Sequence, residues 1–108
     1  MTSPLTCRWS KPDARTGRVM IDGELDHRSA DQLRYEVLDG LGASPGVREV
    51  HLDCARLGFC DSYGLSALLM IRREVDAAGA VLYLDNRGPS LDRLLRLTGT
   101  YDHLTGSE

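Results

Sequence analysis

One junction constrains this chain more than any other part of it. Val50-His51-Leu52-Asp53 alternates apolar and polar residues as a strand does. Residues 62–78 carry Leu65, Leu68, Leu69, Arg72 and Val75 at about helical spacing. Between them, Leu57-Gly58-Phe59-Cys60-Asp61-Ser62-Tyr63-Gly64-Leu65 reads as a loop leaving a strand's C-terminal end and entering the first turn of a helix. Asp61 is a preferred N-cap type, able to accept from the free amides near Tyr63 and Gly64. That places the Ser62 hydroxyl on the first helical turn, where free amides and the helix dipole favour an anion. A serine there is a candidate switch.

The rest of the chain is arranged around this unit. Leu5, Cys7 and Trp9 alternate with polar residues, giving a first strand, and residues 11–17, with Pro12, Asp13 and Gly17, read as a turn. Val19 and Ile21 continue the alternation in a second strand, which Gly23-Glu24-Leu25-Asp26-His27 breaks. Ser29-Ala30-Asp31-Gln32 has the spacing of a capping box. The helix after it has Ala30, Leu33, Val37, Leu38 and Leu41 on one side, and Gly42 and Pro45-Gly46 stop it. A third strand spans 47–53. The nearly all-apolar run Ala80-Val81-Leu82-Tyr83-Leu84 is expected as a strand interior to the sheet. Residues 90–97 form a short helix with Leu91, Leu94 and Leu95 inward, and 101–104 make one more turn or a short edge strand. The order β-β-α-β-α-β-α, with right-handed crossovers, implies an α/β fold: a mixed sheet of about four strands with helices packed mainly on one side. Residues 1–108 are expected as a single domain with a core from about 5 to 104.

Composition removes several function classes. At 108 residues, 42% hydrophobic and net charge −3, the chain has no basic run interleaved with aromatics, so nothing points to nucleic acid. No apolar stretch approaches the roughly 18 residues of a membrane span. Met1-Thr2-Ser3-Pro4 lacks the basic and apolar regions of a signal peptide. Three widely spaced cysteines (Cys7, Cys54, Cys60) argue against a disulfide scaffold and for a reducing compartment, hence a cytoplasmic location. A hydrolase elbow needs glycine two residues before its serine, and here Cys60 stands there, although Gly64 fits the second position. His51, Asp53, Cys54 and Cys60 do not converge at a metal-ligand spacing, with the two thiols flanking the loop. No phosphate-cradling glycine motif occurs, so no cofactor and no metal are expected. Asp26, Asp53 and Asp61 lie near strand–helix junctions, where capping and surface charge explain them better than acid–base work in so short a chain. Trp9 reads as sheet-face packing, His27 as a loop histidine, and Tyr63 equally as an interface anchor.

With Gly23-Glu24-Leu25-Asp26-His27 and Phe59-Cys60-Asp61-Ser62-Tyr63-Gly64-Leu65 in hand, the chain resembles a STAS domain of the anti-sigma-factor antagonist family. The resemblance covers residues 19–104, and the Asp61-Ser62-Tyr63-Gly64-Leu65 motif is its stronger part. Ser90-Leu91-Asp92-Arg93-Leu94-Leu95-Arg96-Leu97-Thr98-Gly99 is similar to the family's closing helix. The resemblance implies a non-catalytic module that binds an anti-sigma factor, itself a serine kinase of the GHKL ATPase type, and so releases a sigma factor. It implies phosphorylation at Ser62 as the inactivating event and a PPM-type phosphatase to reverse it. Asp26, His27, Asp61, Ser62, Tyr63 and Gly64 are then the partner-binding residues. Tyr63 stands where many members have Ser or Thr, and Ser66 where a Gly is usual. The alternative is a non-switching STAS scaffold or sensor, or a subunit of a transport-related complex.

Overall fold

The computed structural model describes residues 4–105; the signal-peptide expectation rests largely on Met1-Thr2-Ser3, which lie outside them. The elements are β1 (Thr6–Asp13), β2 (Thr16–Leu25), α1 (Ala30–Ala43), β3 (Glu49–Cys60), α2 (Ser62–Ala77), β4 (Val81–Asp85), α3 (Pro89–Leu97) and α4 (Tyr101–Thr105). The sheet order is β1-β2-β3-β4, with β1–β2 antiparallel and the other two pairs parallel. This is the α/β architecture with a mixed four-stranded sheet that the order of elements implied.

The alternation along the strands decides where the core lies. Val19, Ile21, Val50, Leu52, Leu82 and Leu84 are buried on one face and meet Leu33, Val37, Leu68, Ile71 and Val75 of the two long helices. Each such side chain contributes about 1.5–3 kcal/mol on burial. The alternate residues, Met20, Val81 and Tyr83, remain exposed on the other face. α1 and α2 pack side by side, joined by a bidentate ion pair in which Arg34 Nε lies 3.0 Å from Glu74 Oε1 and Nη2 3.0 Å from Oε2. Trp9 packs inward as expected, and Gly40 makes room for it: a Cβ there would fall 2.1 Å from the indole Cδ2.

Several boundaries differ from the sequence-based expectation. β3 does not end at Asp53 but continues through Leu57-Gly58-Phe59-Cys60, the stretch expected as a loop. Two irregularities hid it. Met20 pairs with Asp53 and Asp22 with Arg56, then Gly23 with Leu57 and Glu24 with Phe59, so at each place β3 carries one extra residue. Each extra residue inverts the inside–outside alternation, and the period on which the strand is recognised is lost. Cys54 and Cys60 therefore both lie within β3 rather than flanking a loop. β2, whose own alternation is regular to its end, is not broken at Gly23 but pairs as far as Leu25. The turn expected over 11–17 narrows to Ala14 and Arg15. β4 is an edge strand, not an interior one, with Val81 and Tyr83 exposed. Gly42 lies inside α1, and 101–105 is helical. The capping box at Ser29 does not form: its hydroxyl makes no cap bond, and Gln32 Nε2 donates instead to Leu5 O at 3.1 Å.

Candidate functional site

β2 and β3 are parallel neighbours, so their C-terminal ends reach the same edge of the sheet and deliver two strand-to-helix junctions side by side. Asp61 N donates to Leu25 O at 3.2 Å, which ties the junctions together. At the second junction Asp61 is the N-cap of α2, its backbone extended, and Asp61 Oδ1 accepts from Gly64 N at 2.9 Å. Ser62 is the first residue of the helix and is exposed. Gly64 is buried because α2 starts hard against the end of β2: a Cβ there would lie 2.5 Å from Leu25 O and 2.8 Å from Cys60 Sγ. Burial pushes the Cys60 thiol up to about 12, so it stays protonated and unreactive.

At the first junction the polar groups turn inward. Asp26 Oδ1 accepts from Arg28 N at 2.9 Å, and Asp26 Oδ2 takes Arg28 Nη2 at 2.7 Å. The Arg28 hydrogen bonds hold the Asp26 carboxyl down at about 2. Ser29 Oγ accepts from Asp26 N at 3.0 Å and donates to Glu24 O at 2.7 Å. Both Asp26 and Ser29 are buried. His27 points the other way and meets Tyr63 across the gap, ring centroids 5.8 Å apart. Tyr63 is 62% exposed. A hollow of about 210 Å³ opens at this pair, lined also by Ala30, Asp31, Ala67 and Met70.

His27, Asp61, Ser62, Tyr63 and Gly64 thus come together, whereas the Asp26 carboxylate is spent on its own turn. Asp53 belongs elsewhere. Its carboxylate accepts from Asn86 Nδ2 and Ala55 N, each at 3.0 Å, and from Arg18 Nη2 at 2.7 Å, and these contacts lower its pKa. His51 bridges Asp85 and Glu49 and stacks on Tyr83. Among the described residues, no three His, Cys, Asp or Glu side chains gather as a metal site. Two neighbours went unnoticed in the sequence. Arg28 sits two residues after Asp26, a spacing at which an aspartate commonly closes a turn on the backbone. Phe59, 51% exposed beside the site, emerges only once β3 is extended.

The sequence model of the family described as "Mlab, STAS domain" matches residues 11–105. The chain belongs to the STAS-domain family. Among curated relatives, this STAS chain is 26% identical over 83 residues to the anti-sigma F factor antagonist of Paenibacillus polymyxa, covering 77% of this chain and 70% of that protein. Its fold is similar to that of the anti-sigma factor antagonist SpoIIAA in its unphosphorylated form, with TM-score 0.75, 24% identity, and 89% of this chain and 83% of that one covered. An anti-sigma factor antagonist from Mycobacterium paratuberculosis superposes with TM-score 0.75 at 22% identity, over 97% and 87% of the two chains. No described helix is long and apolar enough to cross a membrane.

Proposed function

We propose that this STAS chain is an anti-sigma-factor antagonist acting in the cytoplasm. In its unmodified form it binds an anti-sigma factor that is a GHKL-type serine kinase, freeing a sigma factor. Phosphorylation at Ser62 ends that binding, and a PPM-type phosphatase restores it. His27, Asp61, Ser62, Tyr63 and Gly64 form the contact surface, with Asp26 holding the turn that presents His27. The chain's likeness to the anti-sigma F factor antagonist of Paenibacillus polymyxa and to SpoIIAA in its unphosphorylated form supports this assignment.

The observation that carries it is an exposed Ser62 at the start of α2, beside an Asp61 whose carboxylate already occupies the Gly64 amide. A phosphate on Ser62 adds about −1.5 to −2 charges. The helix dipole favours it locally by roughly 0.3–1 kcal/mol at an exposed position. Against that, the Gly64 donor is taken and Asp61 adds like charge. Burying the phosphate unpaired in an interface costs several kcal/mol. Even ~3 kcal/mol weakens binding about 100-fold, so the interface penalty wins. Incubating the chain with the kinase and ATP, mapping the phosphosite by mass spectrometry and comparing affinities of both forms tests this. Ser62→Ala should keep binding and lose modification, and Ser62→Asp should bind more weakly. Phosphate confined to Ser66 or Tyr63, or equal affinity of the Ser62-phosphorylated and unmodified chains, would leave the non-switching module as the better account.

A further inference from the structure

Beyond Ser62, the molecule carries a second feature built for contact. β4 stops at Asp85, paired with Asp53, but β3 runs on to Cys60. Past Asp53 the ladder joins β3 to β2 alone, so residues 54–60 of β3 have no strand on their outer side. α3 stands off from this bare edge, leaving a groove of about 310 Å³. Leu57, Phe59 and Cys60 line it from the strand and Leu94, Leu97 and Arg93 from the helix. Leu97 is 74% exposed and Phe59 51%, an apolar pairing that a chain on its own leaves facing water.

The charge in the groove is equally unspent. On the same helix and its approach, Arg87 is held by Asp92 at 2.6 Å, and Arg96 lies over the Tyr101 ring at 4.0 Å. Arg93 is exposed and, among the described residues, makes no ion pair or hydrogen bond. It is the one charged side chain lining the groove. An unpaired strand edge offers its amides and carbonyls as a template for an extended chain, while pockets beside it select alternate side chains. The groove also adjoins the switch, since Cys60 lines it and Asp61 and Ser62 follow directly.

We propose that this slot takes an extended apolar segment of the partner that binds at Ser62, which adds as a strand to the bare edge of β3 and sets a carboxylate against Arg93. The proposal rests on the partner-binding assignment above and extends it to a second, phosphate-independent contact. An extended segment fits because β4's line is vacant there. An acidic residue fits because Arg93 is unengaged, and apolar flanks fit because Phe59 and Leu97 need cover.

The test uses the full chain and the purified GHKL-type serine kinase. Affinities are measured for the unmodified chain and for Leu97→Ser and Arg93→Glu, both at exposed positions where folding is little disturbed. Amide hydrogen exchange at Leu57, Gly58 and Phe59 is followed in the free chain and in the complex. The expected result is about tenfold weaker binding for each variant, unchanged thermal unfolding, and slowed exchange of those amides in the complex. Variants that bind within about twofold of the unmodified chain would overturn the slot contact while leaving the Ser62 assignment standing. A self-associating chain that Leu97→Ser makes monomeric would show the occupant to be a second copy and overturn the partner segment. Absence of any binding by the unmodified chain would overturn both assignments.

Discussion

The two strand-to-helix junctions use the same residue types to opposite ends. Each sets an aspartate directly after a parallel strand and a serine near the helix start. At the β2–α1 junction the serine is a rivet: Ser29 Oγ joins Asp26 N to Glu24 O, and Asp26 is clasped by Arg28. At the β3–α2 junction the aspartate does the capping and Ser62 is left in solvent. A serine's chemistry is thus set by which neighbour has satisfied the backbone first. Where the aspartate caps, the hydroxyl is free for modification; where the aspartate pairs with an arginine, the hydroxyl is consumed.

The sharpest way to break this contrast is at Gly64, which lets α2 begin against Leu25. Gly64→Ala places a methyl against a backbone carbonyl and should cost about 2–3 kcal/mol, as overpacking does. Urea unfolding measures it, and loss of partner binding should accompany it. Next comes the serine pair itself. Ser29→Ala leaves the Asp26 amide and the Glu24 carbonyl without their partner and should cost about 2 kcal/mol. Ser62→Ala should change stability by less than about 0.5 kcal/mol. Equal costs for the two would erase the distinction between rivet and free hydroxyl.

Smaller again is the cap. Asp61→Ala frees the Gly64 amide and should cost about 1 kcal/mol, while Asp61→Asn keeps most of it. Thermal unfolding of the two variants separates cap from charge. The gentlest perturbation is acid. Arg28 lowers the Asp26 pKa to about 2, so its contribution is fully present above the ordinary carboxylate range and is lost as pH falls through about 2. Arg28 is half exposed, so solvent screens the pair and the effect is small. Asp26→Asn should remove this part of the acid limb in a pH series of unfolding midpoints, and an unchanged limb would show that the clasp contributes nothing.

Much of the site was legible because its signals are local. A capping aspartate, a serine one residue on and a 3.6-residue period all lie within a few positions of one another, and Asp61, Ser62 and the start of α2 stand where those signals put them. The capping box at Ser29 has an equally good local pattern, yet it failed. Glu24 O and Asp26 N engage the hydroxyl in place of the helix amides, and Gln32 is bonded to Leu5 O instead. Arg28 and Phe59 escaped notice for a related reason, since one acts through a turn and the other through a strand whose alternation two extra residues had disrupted.

By itself the sequence determined the order of the elements through α3, the inward face of the long helices and of the strands as far as Asp53, and the place where a free hydroxyl would stand, because periodicity and capping are properties of neighbouring residues. Only the tertiary structure decided how far β2 and β3 run, that β4 closes an edge, that Gly40 yields to Trp9, and that of two similar serines one is buried and the other free. Each of these depends on which backbone lies alongside, and that backbone comes from residues far away in the chain.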